Sequence, residues 1–291
     1  MAVLLKKNRT SIDPEISIVI GTLNRPEILL KLLKQLDQSP HSLEVLVYDQ
    51  SSEESYEKIQ PFFKGKKNFS LTRFKVPNTC KYLNAGWKDS KSDIVLYLDD
   101  DVSITDETLQ AHIDGYSNPH IKAVAGRVIN DGEKVVESNQ VGKIHWFGAS
   151  FSKNFSSTTA GVSDFPYGCN MSYRKSVLSA LGGFDEKLSG PVFAFNEVDM
   201  GYRIAKQFKD SILFEPKALV YHHRFPSGGT RSFTMEEGKY SIEFNYGYFL
   251  GKNYSLFENI IMMIRRLPFQ IIKEPQHINA IVKGFIKGKR V

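Results

Sequence analysis

From residue 16 to residue 101, short β-branched runs alternate with stretches of helical periodicity, which restricts the chain to an α/β fold with a mostly parallel sheet covered by helices. ISIVIG (16–21) reads as a buried strand, LEVLVYD (43–49) as the second, SLTRFKV (70–76) as the third and DIVLYLDDD (93–101) as the fourth. Between them, Ile28, Leu29, Leu32, Leu33 and Leu36 fall at helical spacing, with Pro26 in the first turn where its missing N–H costs little. Shorter helices fit 53–60 and Asn78 to Asp89. Beyond 101 the pattern is looser. Strands are expected at 123–129 and 143–151, a polar loop at 152–164, helices at 174–181 and 196–208, and a strand at 211–223.

Open α/β sheets bind ligands beyond the carboxyl ends of their strands, so polar residues at strand ends matter most. The first strand runs into Gly21-Thr22-Leu23-Asn24-Arg25, which is neither a dinucleotide fingerprint nor a P-loop. Dehydrogenases and P-loop NTPases are disfavoured. The second strand ends in Asp49-Gln50-Ser51-Ser52 and the fourth in Asp99-Asp100-Asp101. If the fourth strand persists, Asp99 and Asp101 project to one side and can converge on one hard cation. A solvated acidic turn capping a helix at 105–115 is the alternative.

These blocks, IVIGTLNRP, VYDQSS and NAGWKDSKSDIVLYLDDD, resemble in order and spacing the nucleotide-binding half of family 2 glycosyltransferases, inverting enzymes of the Rossmann-like GT-A fold. GCNMSYRKSVLSALGGFDE (168–186), FNEVDMGYRI (195–204) and ALVYHHRFPSGG (218–229) extend the resemblance over roughly 15–230. It implies a donor site for a nucleotide-sugar at Thr22, Asn24, Arg25 and Asp49. Asp49 can accept from ribose hydroxyls or a base N–H, or merely start the turn before the next helix. Asn84 and Gly86 match the family's N-x-G helix near the nucleotide, although a helix-packing glycine explains Gly86 as well. Asp99 and Asp101 match the ends of its D-x-D motif, which would hold Mn²⁺ or Mg²⁺ against the diphosphate, with Asp100 free to contact the sugar. His222 aligns with a metal-ligand histidine, and the loop after it, with Arg231, would close over the diphosphate.

Inverting transfer needs a carboxylate to take the acceptor proton. The family's E-D-x-D-like motif reads here Asn196-Glu197-Val198-Asp199. Asn196 and Asp199 fit a capping-box variant, which occupies Asp199 and leaves Glu197 as the base, with Asp199 the other candidate. Trp146, Asn170 and Asp185 are the acceptor candidates, and core packing suits Phe147 and Cys169 better. The resemblance implies a glycan or lipid-linked glycan acceptor and bacterial surface-polysaccharide assembly. A sugar nucleotidyltransferase is the enzymatic rival, without its usual Gly-rich basic loop. An inactive glycan- or membrane-binding relative is the other, kept open by Asn196.

The chain divides into an arm (1–14), a catalytic body (15–230, with its nucleotide half at 15–101 and acceptor half at 102–230) and a helical, basic extension (231–291). The net charge of +6 invites a nucleic-acid reading. Yet residues 252–291 hold eight basic side chains against two acidic ones, leaving the remainder balanced. A neutral body with a basic end is not a nucleic-acid face. In that end Ile278, Ile281, Val282, Phe285 and Ile286 follow helical spacing, with Lys283, Lys287 and Arg290 largely elsewhere. This suits a helix on an anionic membrane, or one packed on the body or a second subunit. Neither a signal-peptide core nor a spanning run of about 18 apolar residues is present, so the expected location is cytoplasmic, peripheral at the inner face of the membrane.

Overall fold

The computed structural model describes residues 13–188, 194–225, 228–229, 234–262, 264 and 278–291. Its first four strands, β1 (Ile16–Thr22), β2 (Leu43–Asp49), β3 (Phe69–Arg73) and β4 (Ile94–Asp99), lie in the order β3-β2-β1-β4, all parallel. The chain winds outward through β2 and β3, then crosses to the other side of β1. That reversal opens a crevice above the carboxyl ends of β1 and β4. Register aligns the polar ends: Thr22 pairs with Asp49, and Gly21 with Asp99.

β1 is buried on both faces, so apart from Ser17, whose buried hydroxyl donates to Glu44, it is apolar from Ile16 to Ile20 rather than alternating. Ile16, Ile18 and Ile20 join the cluster under α1 (Pro26–Asp37), whose Leu29, Leu32, Leu33 and Leu36 are all buried. Val19 faces the other way, toward α3 (Thr79–Asp89), where Cys80 and Leu83 pack. Burying one such aliphatic side chain stabilises the fold by about 1.5–3 kcal/mol. Gly86 belongs to this packing. A Cβ there would collide with both γ-carbons of Val19, so the residue sets the distance of α3 from β1.

The second half departs from the sequence expectation at two places. The single strand expected at 143–151 is a hairpin of β7 (Lys143–His145) and β8 (Ser150–Ser152), joined by a 3-10 turn at Trp146–Gly148. The loop expected at 152–164 contains β9 (Gly161–Val162), which pairs with β11 (Ile212–His222). β6 (Ala123–Asn130) and β11 are parallel neighbours, and β10 (Asn170–Arg174) lies antiparallel between β4 and β6. The β6–β11 register shifts between Glu215 and Leu219, around Pro216, which has no N–H to give to the ladder.

Helices α2 (Glu53–Phe63), α4 (Asp106–Gly115), α5 (Lys175–Ala180) and α6 (Asn196–Gln207) complete the body. α7 (Met235–Asn253) enters it directly: Tyr246, Phe249 and Leu250 join one core cluster and Tyr248 the other. Residues 256–262 are helical, and α8 (Ile278–Gly288) lies along α7. Among the described residues no helix is long and apolar enough to cross a membrane.

Candidate active site

β4 ends at Asp99, and Asp100 and Asp101 form a turn, so a continuing strand is not what brings the outer acids together. The next element does so. β5 (Val102–Ser103) pairs antiparallel with the end of β11, setting Val102 opposite His222, and the backbone N–H of His223 donates to the Asp101 carbonyl at 3.0 Å. This carries the His222 imidazole over the aspartates, Nε2 lying 3.1 Å from Asp101 Oδ1 and 3.8 Å from Asp99 Oδ2. One ligand atom from each of Asp99, Asp101 and His222 falls within 4.8 Å of the others. Two carboxylates and an imidazole form a donor set that fits a divalent cation such as Mn²⁺ or Mg²⁺.

The ring orientation of His222 is fixed from behind. The Asn130 amide nitrogen donates to Glu133, so its Oδ1 is left to accept from His222 Nδ1 at 2.9 Å. Nε2 is thereby directed at the acids. Burial opposes a charge on this ring, but the hydrogen bond to Asp101 and the two carboxylates outweigh it and raise its pKa.

Asp100 points elsewhere. Its carboxylate accepts from Thr22 Oγ1 at 2.7 Å and pairs with Arg25 at 3.0 Å, and Arg25 also pairs with Asp101 at 2.9 Å. Burial dominates its titration and pushes it up to about 7 against the pull of Arg25 and Thr22. Arg25 reaches on to the Gly228 carbonyl at 3.1 Å. Gly228 and Gly229 take φ of 72° and 53°, and a Cβ on either would strike the Arg25 side chain.

These groups surround a cavity of about 340 Å³. Thr22, Arg25 and the three aspartates form one wall, His222 and Gly229 the rim, and Glu197 with Asn196 the far side. Glu197 stands in the first turn of α6, half-buried, and burial lifts its carboxyl above the usual range. Gln50, Tyr82 and Tyr167 also line the cavity and were missed in the sequence. Tyr82 had a signal: its ring lies so close over Gly21 that a Cβ there would overlap it, and a glycine ending a buried strand marks such an approach.

Other expected residues lie outside this cavity. Asp49 is fully buried behind Gln50; Oδ1 accepts from Ser51 N–H, while Oδ2 accepts no hydrogen bond and lies 4.0 Å from Arg73 Nε. Asn24, at φ 56°, braces the neighbouring loop, accepting from Ser52 N–H and donating its own N–H to Ser51. Asn84 is used up structurally. Its amide donates to the Phe184 carbonyl and to Glu186, and its oxygen accepts from Phe184 N–H and Trp87, clamping the turn after α5. Arg231 lies outside the described residues.

No capping box forms at the start of α6, because Phe195 at φ 73° is the N-cap and Asn196 is already helical. Asp199 is occupied by other means: fully buried, it pairs with Arg203 at 2.9 Å and Lys252 at 3.0 Å and accepts from the Asn253 amide at 2.9 Å. Asp185 shares Lys252 at 2.7 Å and accepts from Tyr248. Burial disfavours its charge, but Lys252 and the Lys187 N–H hold the carboxyl below its ordinary range. Asn170 is fully buried between sheet and α4, donating to the carbonyls of Arg127 and Ala218 and accepting from His112. Neither Asp199, Asp185 nor Asn170 lines the cavity beside Asp99, Asp101 and His222.

Trp146 is 57% exposed. It and Phe147 adopt φ of 48° and 56°, a left-handed pair costing about 1–2 kcal/mol per residue. They edge a second cavity of about 780 Å³, bounded by Tyr202 and Lys206 of α6 and by Tyr254.

Residues 17–182, more than half of the chain, match the family model described as glycosyl transferase family 2. No curated protein sequence matches significantly. Among solved structures, the chain is similar to S. aureus TarS 1–349 in complex with UDP-GlcNAc, with 17% identity, a TM-score of 0.64, and 93% of this chain and 81% of that one covered. It is also similar to the mannosyltransferase PcManGT from Pyrobaculum calidifontis in complex with GDP-Man and Mn²⁺, with 13% identity, a TM-score of 0.57, and coverage of 97% and 76%. At such identities the likeness is one of fold, and the fold is GT-A.

Proposed function

The chain belongs to glycosyl transferase family 2, and from that premise we propose that this glycosyltransferase is metal-dependent and inverting, moving a sugar from a nucleoside-diphosphate donor to a hydroxyl of a glycan acceptor. The observation that carries the reading is the convergence of Asp99, Asp101 and His222 with Glu197 on one cavity at the switch point of the sheet. The structures similar to this one include complexes with UDP-GlcNAc and with GDP-Man and Mn²⁺, which supports a donor of that class.

Asp99, Asp101 and His222 would hold the cation, which supplies positive charge where the leaving diphosphate gains its negative charge. Thr22 and Arg25 keep Asp100 turned away from that position and neutralise part of the acidic cluster. Gln50 lines the cavity where a base or ribose would approach, and we assign to the same subsite Asp49, buried next to it with one oxygen that accepts no hydrogen bond. Glu197 accepts the proton as the acceptor oxygen bonds to the anomeric carbon and the anomeric carbon–oxygen bond to the diphosphate breaks. Its raised pKa brings it nearer the operating pH, where a general base is most effective. The exposed face of Trp146 over the second cavity suits an acceptor sugar ring beyond the reacting unit. Bacterial surface-polysaccharide assembly is the setting proposed for this reaction.

Glu197→Gln tests the assignment. Donor binding, read by thermal shift with UDP- and GDP-sugars and Mn²⁺, is expected to persist while release of nucleoside diphosphate falls by about 10²–10⁴. Unchanged turnover would remove Glu197 as the base. Loss of turnover in Asp199→Asn with Glu197→Gln fully active would move the role to Asp199.

A further inference from the structure

The basic end of the chain meets the body through its smallest residues. Ala280, Gly284 and Gly288, spaced four apart, form the buried face of α8. They interlock with Gly247 and Gly251 of α7. A Cβ on Gly284 would collide with the Phe244 carbonyl, on Gly288 with that of Tyr248, on Gly247 with that of Ile281 and on Gly251 with that of Phe285. The seam, rather than the large aliphatic stripe, fastens the helix. Ile281 and Phe285, beside the seam, pack partly against the core. Val282 and Ile286 fall roughly opposite it, at 48% and 47% exposure.

A second apolar strip lies on the stretch that follows α7. Within the helical residues 256–262, Asn259 and Met262 are buried, while Leu256, Phe257 and Ile260 are 67%, 71% and 47% exposed on the other side, continued by Ile264 at 69%. Lys289 Nζ donates to the Tyr254 carbonyl at 2.6 Å, tying the end of α8 to the start of that stretch. Lys283 and Arg290, both exposed, border the Val282–Ile286 strip on one side, and no acidic residue occurs after Glu274.

We propose that this surface, the outer strip of α8 together with Leu256, Phe257 and Ile260, seats the enzyme on an anionic lipid bilayer from one side. Apolar side chains enter the interface while the flanking cations meet lipid phosphate. Charge selects this occupant over a second copy of the chain, because α8 and the residues after it carry Lys283, Lys287, Lys289 and Arg290 with no acid of their own, and Glu258 beside the second strip is already engaged by Ser255 with Lys289 nearby. The inference is independent of the donor-site reading.

The test uses the full chain and co-sedimentation with vesicles of phosphatidylcholine, with and without phosphatidylglycerol, at low and high salt. The expected result is binding to the phosphatidylglycerol vesicles, weakened by salt, and weak or absent binding to phosphatidylcholine alone. Lys283→Gln with Arg290→Gln should weaken it about thirtyfold, and Val282→Ser with Ile286→Ser should weaken it in both salts. The melting temperature and its rise with nucleotide and Mn²⁺ report that each variant is folded with its donor site intact. Failure of the wild-type chain to bind phosphatidylglycerol vesicles would overturn the proposal, as would binding unaffected by both double variants. So would a dimer abolished by Val282→Ser with Ile286→Ser in a chain that ignores vesicles.

Discussion

Asn170 shows how one side chain can be conspicuous in sequence while its polar atoms are engaged inside the fold. Its amide nitrogen donates to two buried carbonyls, so its oxygen must accept, and His112 Nε2 must then carry the proton. His112 Nδ1 is left to accept from Ser172, whose oxygen accepts in turn from Tyr116. Burial holds His112 neutral, lowering its pKa from 6.5 to about 4 against the opposing pull of the Asn170 hydrogen bond. Between those values the unfolded chain binds the extra proton, so stability rises with pH from 4 to 6.5 and is level above. Urea denaturation across that range should show a loss of roughly 3 kcal/mol toward acid from this group, with a shallower slope in His112→Gln. Asn170→Ala, which strands two carbonyls, should cost about 2–4 kcal/mol in stability. Nothing in the block Gly168-Cys169-Asn170 separates such a residue from an acceptor contact, because its partners stand 43 to 58 positions away.

At the level of elements, the first four strands and their helices were legible because apolar periodicity reports local burial, which the parallel order then uses without change. The three aspartates were legible as a cluster, but the mechanism of their convergence was not. It depends on the two-residue strand β5 pairing with β11 across about 120 positions, too short to leave a periodic signal. The stripe in α8 was legible and its orientation was not, since hydrophobicity scales give no weight to glycine as a contact surface. Gly284→Ala pushes a Cβ into the Phe244 carbonyl and should destabilise the chain by about 1–3 kcal/mol, seen as a lowered melting temperature. Lys283→Ala, at an exposed neighbour, should leave it unchanged.

Taken as a whole molecule, the cavity is assembled from two distant stretches, residues 21–101 and 167–229, so a bound donor links them and stabilises the native state alone. A nucleotide-sugar with Mn²⁺ at a hundredfold excess over its Kd should add about 2.7 kcal/mol. In Asp99→Asn that gain should become independent of Mn²⁺, and a full Mn²⁺ response would remove Asp99 from the metal site. The same dispersal bears on synthesis. Asp199 draws a counter-charge from Lys252 and a hydrogen bond from the Asn253 amide, both more than fifty residues later. At about 5–20 residues per second, several seconds pass in which the helix bearing the proposed base has emerged while its buried acid has only Arg203 for company. The helix that bears the proposed base therefore waits for the partners of its buried acid, a delay set by the order of manufacture.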